Sequence, residues 1–499
     1  MPHREPQSLS ADVLVIGGGI AGTVAALEAR RTGADTLLIS LGTPCRNGAS
    51  FYQSGSVRGI DAAPEGDRAA VETHFREIME AASGHADERL VRVLAEEAPR
   101  RLRELVEQTG IPLKPAANGE VGRFRGCFSR IERAVIVENI SDLAARLAPL
   151  LQESGVRVLE RTAVVEIILR EEEARGALGL TREGATVSIE APSVLLAAGG
   201  GCSAFARSLT DPNQLGDSFV LAGDAGAKVR NLRFIQIMLG VVDAHRKELF
   251  PTAFFASGVC RLIDEQGADI LSGRLSPGEI ASAMKFRGSH LPCTIRDGSG
   301  AIDLAVGEAV RAGRRVYAEG SFGRREIAPF AHASNGGIVI DEWGESSVRG
   351  LFACGEAATG MHGADRLGGG MVAAALVFGA RAGRRAAERA KRRAWGRPEI
   401  SSVPNADETG PVRTEYRSLL DRVRRLLARH ALIPRVLGEL AGVAGELEQL
   451  RREIEESTPC DARAGWERHR ASTAVRFGKM LVEEIRLHPR SEGPHIVRA

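Results

Sequence analysis

ADVLVIGGGIAGTVAALEARRTGADTLLIS, residues 11 to 40, decides the fold. Val13-Leu14-Val15-Ile16 is an apolar run of the kind found in a strand buried on both faces. Gly17, Gly19 and Gly22 follow as GxGxxG. Ala25, Ala26, Leu27 and Ala29 then favour a helix, and Thr36 to Ser40 reads as a second strand. Gly17 permits a tight turn, Gly19 admits backbone close to a pyrophosphate, and Gly22 lets helix pack on strand. The helix N-terminus, with its free N–H groups and dipole, then favours an anion. Strand, glycines, helix and strand occur in the order that a dinucleotide site requires. A tight glycine turn in an ordinary α/β domain is the competing reading.

The rest of the chain supplies the mass for such a site. Its 499 residues suffice for two or three domains. With 43% hydrophobic and 26% charged residues, the composition is that of a globular protein. A net charge of +2 gives no reason to invoke nucleic acid. Residues 1 to 10 lack the apolar core of a signal peptide, and no uncharged apolar run reaches the ~18 residues of a membrane span. The expectation is a cytoplasmic chain without a membrane span. Seven cysteines are scattered as singles with no CxxC, which fits a reducing compartment and offers neither an iron–sulfur set nor a metal site.

Along the chain, residues 41–60 form a Gly/Ser-rich loop at the carboxyl edge of the sheet, where open α/β folds bind ligands. Arg68 to Gln108 has the apolar spacing of a helix pair, and Glu138 to Gln152 that of another helix. Val156 to Ile168 is strand-like, and Ser193 to Gly201 is a buried strand ending in glycines. From Val229 to Glu326 the βα alternation breaks down, which suggests an inserted domain. Order returns with AHASNGGIVID from Ala331, LFACGEA from Leu351, and MHGADRLGGG before a small-residue helix, Met371 to Ala387. Gly396 to Pro411 reads as a linker. Arg413 to Leu487 is helical, and Pro434 and Pro459 favour a short bundle over a coiled coil.

Taken together these landmarks resemble the flavoprotein family of fumarate reductase, succinate dehydrogenase and L-aspartate oxidase. The likeness runs from GGGIAG through AAGG (197–200), LGDSFVLAGDAGA, IRD (295–297), AHASNGGI, LFACGEA and HGADRLGGG to RSEGPH near the end. It implies an α/β fold: a Rossmann-like FAD-binding domain (1–228 and 335–395) interrupted by an α+β capping domain (229–334), with a C-terminal helical domain (411–499). It implies that Gly17, Gly19, Ala21 and Gly22 hold the pyrophosphate and that Ser40 lies near the adenosine ribose. Ser50, Ser54 and Gly55 would lie in the loop beside the isoalloxazine. Asp217 and Glu356 would bind ribityl and ribose hydroxyls, Gly368, Gly369 and Gly370 would meet the pyrimidine edge, and Met371 belongs to the implied cofactor set. Val164, Ala198, Gly199 and Gly355 complete the implied cofactor set. Residues 49–55 hold no histidine, so the FAD is expected to be non-covalent.

For the substrate, the resemblance implies a carboxylate clamp of His332 and Arg366. Arg296 is implied to exchange a proton with the substrate carbon while a hydride passes to or from flavin N5. A bidentate guanidinium suits a carboxylate, and an imidazole adds a donor. The sequence also departs from the family. Met238 replaces a carboxylate-binding histidine, and Thr252 to Gly258 (TAFFASG) replaces the stretch that feeds protons to the catalytic arginine. A substrate with one carboxylate, or with an apolar arm facing Met238, Phe254 and Phe255, is therefore expected. His245 and His290 read as surface or capping-domain residues, His362 as site or support, and Cys354 as core.

The leading expectation is an FAD-dependent oxidoreductase acting on a small carboxylate or amino acid, with oxidation favoured. The alternatives are a fumarate reductase-type flavoprotein fed by a separate electron-transfer partner, and an FAD-binding subunit with a degenerate site.

Overall fold

The computed structural model describes residues 7–51, 58–242, 247–392 and 415–498. Val13–Ile16 is the central strand of a five-stranded parallel sheet. Its spatial order is Leu351–Ala353, Ser193–Leu196, Val13–Ile16, Thr36–Ile39, Arg157–Leu159. Four of the five strands are buried on both faces, as their unbroken apolar runs require. The glycine helix, Ile20–Arg31, leaves the central strand through Gly17. Gly17 has φ +120°, a conformation open to glycine and strained for other residues.

The long helix Gly370–Arg392 lies across the glycine helix. Small residues make the contact possible: a Cβ at Gly379 would lie 2.8 Å from the Ala21 carbonyl oxygen, and one at Gly383 would lie 2.2 Å from that of Ala25. The helix pair expected over 68–108 is present as Arg68–Ala81 and Glu88–Thr109, each N-capped by an aspartate, Asp67 and Asp87. The helix expected over 138–152 is Ile140–Glu153, capped by Asn139. The single strand expected over 156–168 is two, Arg157–Leu159 and Thr162–Arg170. The break falls at Arg161, whose φ is +53°. The second piece joins a separate four-stranded sheet.

Between Ser193–Leu196 and its sheet neighbour Leu351–Ala353 the chain builds a further, inserted sheet. Its strands run antiparallel in the order Glu248–Leu249, Ile235–Val241, Gly323–Ser334, Val316–Gly320, Arg261–Asp264. The lost βα alternation in the sequence corresponds to this antiparallel sheet. Among the described residues the C-terminal region forms three α-helices, Tyr416–His430, Leu440–Glu455 and Ala462–Leu487. They pack on one another and share one core with the inserted sheet, a core that includes Leu427, Leu447 and Phe477 as well as Ile235, Ile237 and Leu239. The expected linker, 396–411, and the ends of two expected domains at 395 and 411 lie outside the described residues.

Candidate active site

One long cleft runs from the N-terminus of the glycine helix, across the carboxyl ends of the parallel strands, to the inserted sheet. It encloses about 1970 Å³, its open mouth included. Of the residues expected to hold a cofactor, Gly17, Gly19, Ala21, Ser40, Ser50, Val164, Ala198, Gly199, Asp217, Glu356, Gly368, Gly369 and Met371 all line it. Gly22 and Gly355 are not among the lining residues; they act from behind the wall. A Cβ at Gly22 would lie 1.9 Å from the Gly17 carbonyl oxygen, and one at Gly355 would lie 2.6 Å from the Ala21 Cβ. Ser54 and Gly55 lie outside the described residues.

The residues present fit a bound dinucleotide. The glycine helix has no side-chain cap and no acidic residue in its first turn. Its dipole and the first-turn N–H donors beyond Ile20 are therefore open to an anion in the cleft. Ser50 reaches that turn from the neighbouring loop, where its Oγ accepts the Ile20 N–H at 3.2 Å. At the far end, a Cβ on Gly368 would lie 2.6 Å from Cys127 N, and Asp61 N–H donates to the Gly369 carbonyl at 3.2 Å. Glu356 sits between the two ends and accepts the Ser334 N–H at 2.9 Å. Burial pushes its carboxyl up, with the Ser334 N–H and Arg366 opposing.

Beyond Glu356 the cleft is walled by the inserted sheet. Along Ile235–Val241 the residues Ile235, Ile237, Leu239 and Val241 enter the shared core, while Gln236 and Met238 face the cleft. This is the period-two alternation of a strand. Opposite them, Gln236 pairs with Ala333 but Ile237 pairs with Ala331. His332 is thus the extra residue of a β-bulge, a feature that re-aims a side chain, and it lines the cleft. Arg366, also lining the cleft and buried, donates to Gln236 Oε1 and, at 3.4 Å, to the Leu367 carbonyl. Gln236 Nε2 donates to the Arg366 backbone carbonyl at 3.4 Å. Burial pulls the Arg366 guanidinium down, with Glu356 the chief opposing charge. Arg366 is the one Arg or Lys side chain lining the cleft among the described residues. Met238, Leu249, Leu291 and Pro292 give that end of the cleft an apolar wall, backed by a buried cluster of Leu209, Ala328 and Phe330.

Arg296 stands elsewhere. It is not among the cleft-lining residues; its guanidinium lies 5.3 Å from the Phe128 ring centroid and 4.0 Å from Asp365 Oδ2. Asp365 is buried beside Arg366 and accepts the Thr294 hydroxyl at 2.8 Å. Burial pushes its carboxyl up to about 6, against the Thr294 hydrogen bond and Arg296. The expectation that Phe254 and Phe255 face the substrate is corrected. Phe255 is buried in the core of the inserted sheet with Phe250 at 5.2 Å, and Phe254 stacks on Phe322 at 4.2 Å. Aromatic side chains gained more from packing together than from lining a cleft. Of the two places expected for His290, the surface is excluded: it is buried within 229–334, hydrogen-bonded to the Pro292 carbonyl at 2.7 Å and to Asp297 at 3.1 Å. His362 is buried behind the lining, and burial with Arg366 and His74 nearby lowers its pKa well below the usual value. Cys354 is core. His245 lies outside the described residues.

Three groups at the site were not expected from the sequence. Gln236 was visible in the FIQIML stretch but carried no charge to draw attention. Cys127, a partly buried thiol, also lines the cleft. Behind Gly369 lies a buried ionic cluster: Arg133 bridges Asp61 at 2.7 Å and Glu77 at 2.8 Å, and His74 reaches Asp61 at 3.1 Å. Burial opposes the Asp61 charge, but His74 and Arg133 hold its carboxyl down at about 2.

The family model described as FAD binding domain matches residues 12–372. Among curated relatives, an L-aspartate oxidase of Mycobacterium tuberculosis is 30% identical over 451 residues, covering 86% of this chain and 83% of the relative. One subunit of the CoM/CoB fumarate reductase of Methanothermobacter marburgensis is 28% identical over 416 residues, covering 77% of this chain and 74% of that one. Among solved structures, Mycobacterium smegmatis Sdh1 in complex with UQ1 superposes with a TM-score of 0.81 at 23% identity, covering 98% of this chain and 89% of that chain. A quinol–fumarate reductase with menaquinol molecules gives 0.80 at 20% identity, covering 99% and 93%. These last two likenesses concern the fold alone.

Proposed function

The chain belongs to the FAD-binding domain family, and from that premise we propose that it is an FAD-dependent oxidoreductase that holds a small carboxylate or amino acid by Arg366 and His332. The observation that carries this reading is the placement of a buried, doubly anchored guanidinium in the cofactor cleft, with a bulge-directed imidazole lining the same cleft. When bound, FAD supplies an isoalloxazine that accepts or donates a hydride. In this reading it is held non-covalently, with its pyrophosphate at Gly17 to Gly19 and its ring near Gly368 and Gly369.

Arg366 binds the substrate carboxylate through paired N–H donors, and Gln236 fixes the plane of the guanidinium. His332 adds a donor from the opposite layer. The apolar wall of Met238, Leu249, Leu291 and Pro292 excludes water and suits a substrate charged at one end. Proton exchange stays with Arg296 in this reading, which requires its side chain, 4.0 Å from Asp365 Oδ2 and outside the cleft lining, to swing from Phe128 toward the substrate. Oxidation is favoured over reduction because an aspartate oxidase is the relative matched at the higher identity and over more of the chain. The second reading, a flavoprotein served by an electron-transfer partner, is supported by the likeness to the fumarate reductase chain. Residues 229–334 are proposed as the capping domain, and the compartment as cytoplasmic. No helix among the described residues is long and apolar enough to cross a membrane.

The test is an absorbance spectrum of the purified protein followed by anaerobic titration with aspartate, succinate and a series of amino and monocarboxylic acids with apolar side chains. Bleaching of a flavin spectrum by one acid, abolished in Arg366→Gln with the spectrum of bound FAD retained, supports the proposal. Reoxidation of dye-reduced protein by an unsaturated acid, with no acid bleaching it, favours the reductase reading. A protein that takes up no FAD refutes both.

A further inference from the structure

A second cavity lies on the other side of the wall from the cofactor cleft. It encloses about 1420 Å³, its mouth included, between Arg161 and Arg182, which flank the paired ends of the strands Thr162–Arg170 and Glu173–Thr181, and two C-terminal helices. Six arginines line it: Arg161, Arg182, Arg417, Arg424, Arg463 and Arg470. The carboxylates in its lining are Asp421 and Glu467. The wall between the two spaces is the loop around Pro212: Asp211, Asn213 and Gln214 face the cofactor cleft, while Pro212 faces the arginine cavity.

The charges do not balance. Glu467 is shared by Arg417 at 2.7 Å and Arg463 at 3.1 Å. Asp421 takes Arg424 at 3.3 Å, and Glu183, outside the lining, takes Arg161 at 2.7 Å. Arg182 and Arg470 have no carboxylate ion pair among the described residues. Arg470 is held by neutral partners, donating to the Pro212 carbonyl at 2.8 Å and to Asn213 Oδ1. Arg424 is oriented in the same way, donating to the Ser203 carbonyl at 3.0 Å and the Pro212 carbonyl at 3.5 Å. Burial pulls the Arg470 guanidinium down; Asp217 beyond the loop opposes this, and Arg424 and Arg182 add to it. Half-burying a cation against other cations costs free energy that a carbonyl hydrogen bond only partly offsets. Guanidinia fixed by neutral acceptors keep their full charge and their remaining donors for a guest.

We propose that this cavity binds a small phosphorylated polyanion, of the di- or triphosphate class. A monocarboxylate would answer one guanidinium. Several planar forks around one space match the multiple oxygens and charges of linked phosphoryl groups. The Pro212 loop separates the cavity from the FAD cleft, so the guest is distinct from the cofactor and from the substrate held at Arg366.

The probe is inorganic pyrophosphate, titrated calorimetrically into FAD-loaded protein at about 0.15 M salt, where exposed charges are screened. The expected result is saturable binding of one pyrophosphate per chain, weakened by about tenfold or more in Arg470→Gln and in Arg182→Gln. Arg182 is exposed, so its variant tests the site even if Arg470→Gln fails to fold. Nucleoside diphosphate as a second probe separates two sources of the same chemistry. Equal affinity assigns recognition to the phosphate chain, and tighter binding adds the nucleoside; either supports the site. Absence of saturable binding, or binding unchanged in both variants, overturns the proposal.

Discussion

Gln236 and Arg366 grip each other across two layers of the molecule: the Arg366 guanidinium donates to Gln236 Oε1, and Gln236 Nε2 donates back to the Arg366 backbone carbonyl at 3.4 Å. Gln236 belongs to the inserted sheet, and Arg366 to the segment between the edge strand Leu351–Ala353 and the helix Gly370–Arg392. The clamp therefore exists only when the two layers are docked.

Replacing Gln236 by Leu keeps the volume and removes both hydrogen bonds. Hydrogen bonds to charged groups are worth about 1.5–3 kcal/mol. The expected result is a fall in kcat/KM of roughly 10- to 100-fold, carried mainly by KM, with the bound-flavin spectrum unchanged. Steady-state kinetics on the acid that bleaches the wild type checks this; an unaltered KM would show that Arg366 is oriented without Gln236.

Gly22→Ala places a methyl where 1.9 Å separates it from the Gly17 carbonyl oxygen. The turn must open, which costs about 1–3 kcal/mol by overpacking and moves the helix N-terminus away from its anion. The variant is expected to purify with little or no flavin. Equilibrium dialysis against FAD measures the loss, and wild-type affinity would contradict the role given to this glycine.

Asp365 sets a pH dependence. Its carboxyl is raised to about 6 in the folded protein from an ordinary 3.8. Between those values the folded state holds the proton and the unfolded state does not, so stability falls as pH rises from about 4 to 6. Asp365→Asn removes the burial of that charge. The variant is expected to be more stable than wild type above pH 6, by on the order of 2–3 kcal/mol, with the advantage shrinking toward pH 4. Urea unfolding at pH 5 and pH 7 provides the comparison; equal differences at both would refute the assignment.

Asp61→Asn breaks the buried cluster behind Gly369 and leaves Arg133 with Glu77 alone. Removing one partner of a buried ion pair costs about 3–5 kcal/mol. The expected outcome is a lower unfolding midpoint together with weaker FAD retention, because the loosened cluster lets the backbone at position 61, whose N–H holds the Gly369 carbonyl, shift. Thermal unfolding with and without excess FAD separates the two effects.

How much of this was legible in the sequence depends on the range of the interactions. The glycine turn was legible because Gly17, Gly19 and Gly22 act on their own neighbours within one βα unit. That most residues expected to hold a cofactor line one cleft follows from the motifs that carry the resemblance, which sit at the ends of the parallel strands. The bulge at His332 was not legible, since a register shift depends on the partner strand and not on the residues that carry it. Asp61, His74, Glu77 and Arg133 form one cluster in space but no spacing pattern along the chain. The Phe254 and Phe255 expectation failed because an apolar side chain says that it will be covered, not by what.

The parallel sheet also constrains how the chain reaches its native state. Val194 pairs with Leu351, yet the whole inserted sheet is strung between them. Closing so long a loop costs entropy before the pairing returns anything. The inserted segment must collapse first, drawing its ends together, and only then can the strand Leu351–Ala353 complete the edge. Refolding is expected to restore the inserted sheet's amide protection before that of Phe352, and the ability to take up flavin to appear with the later event.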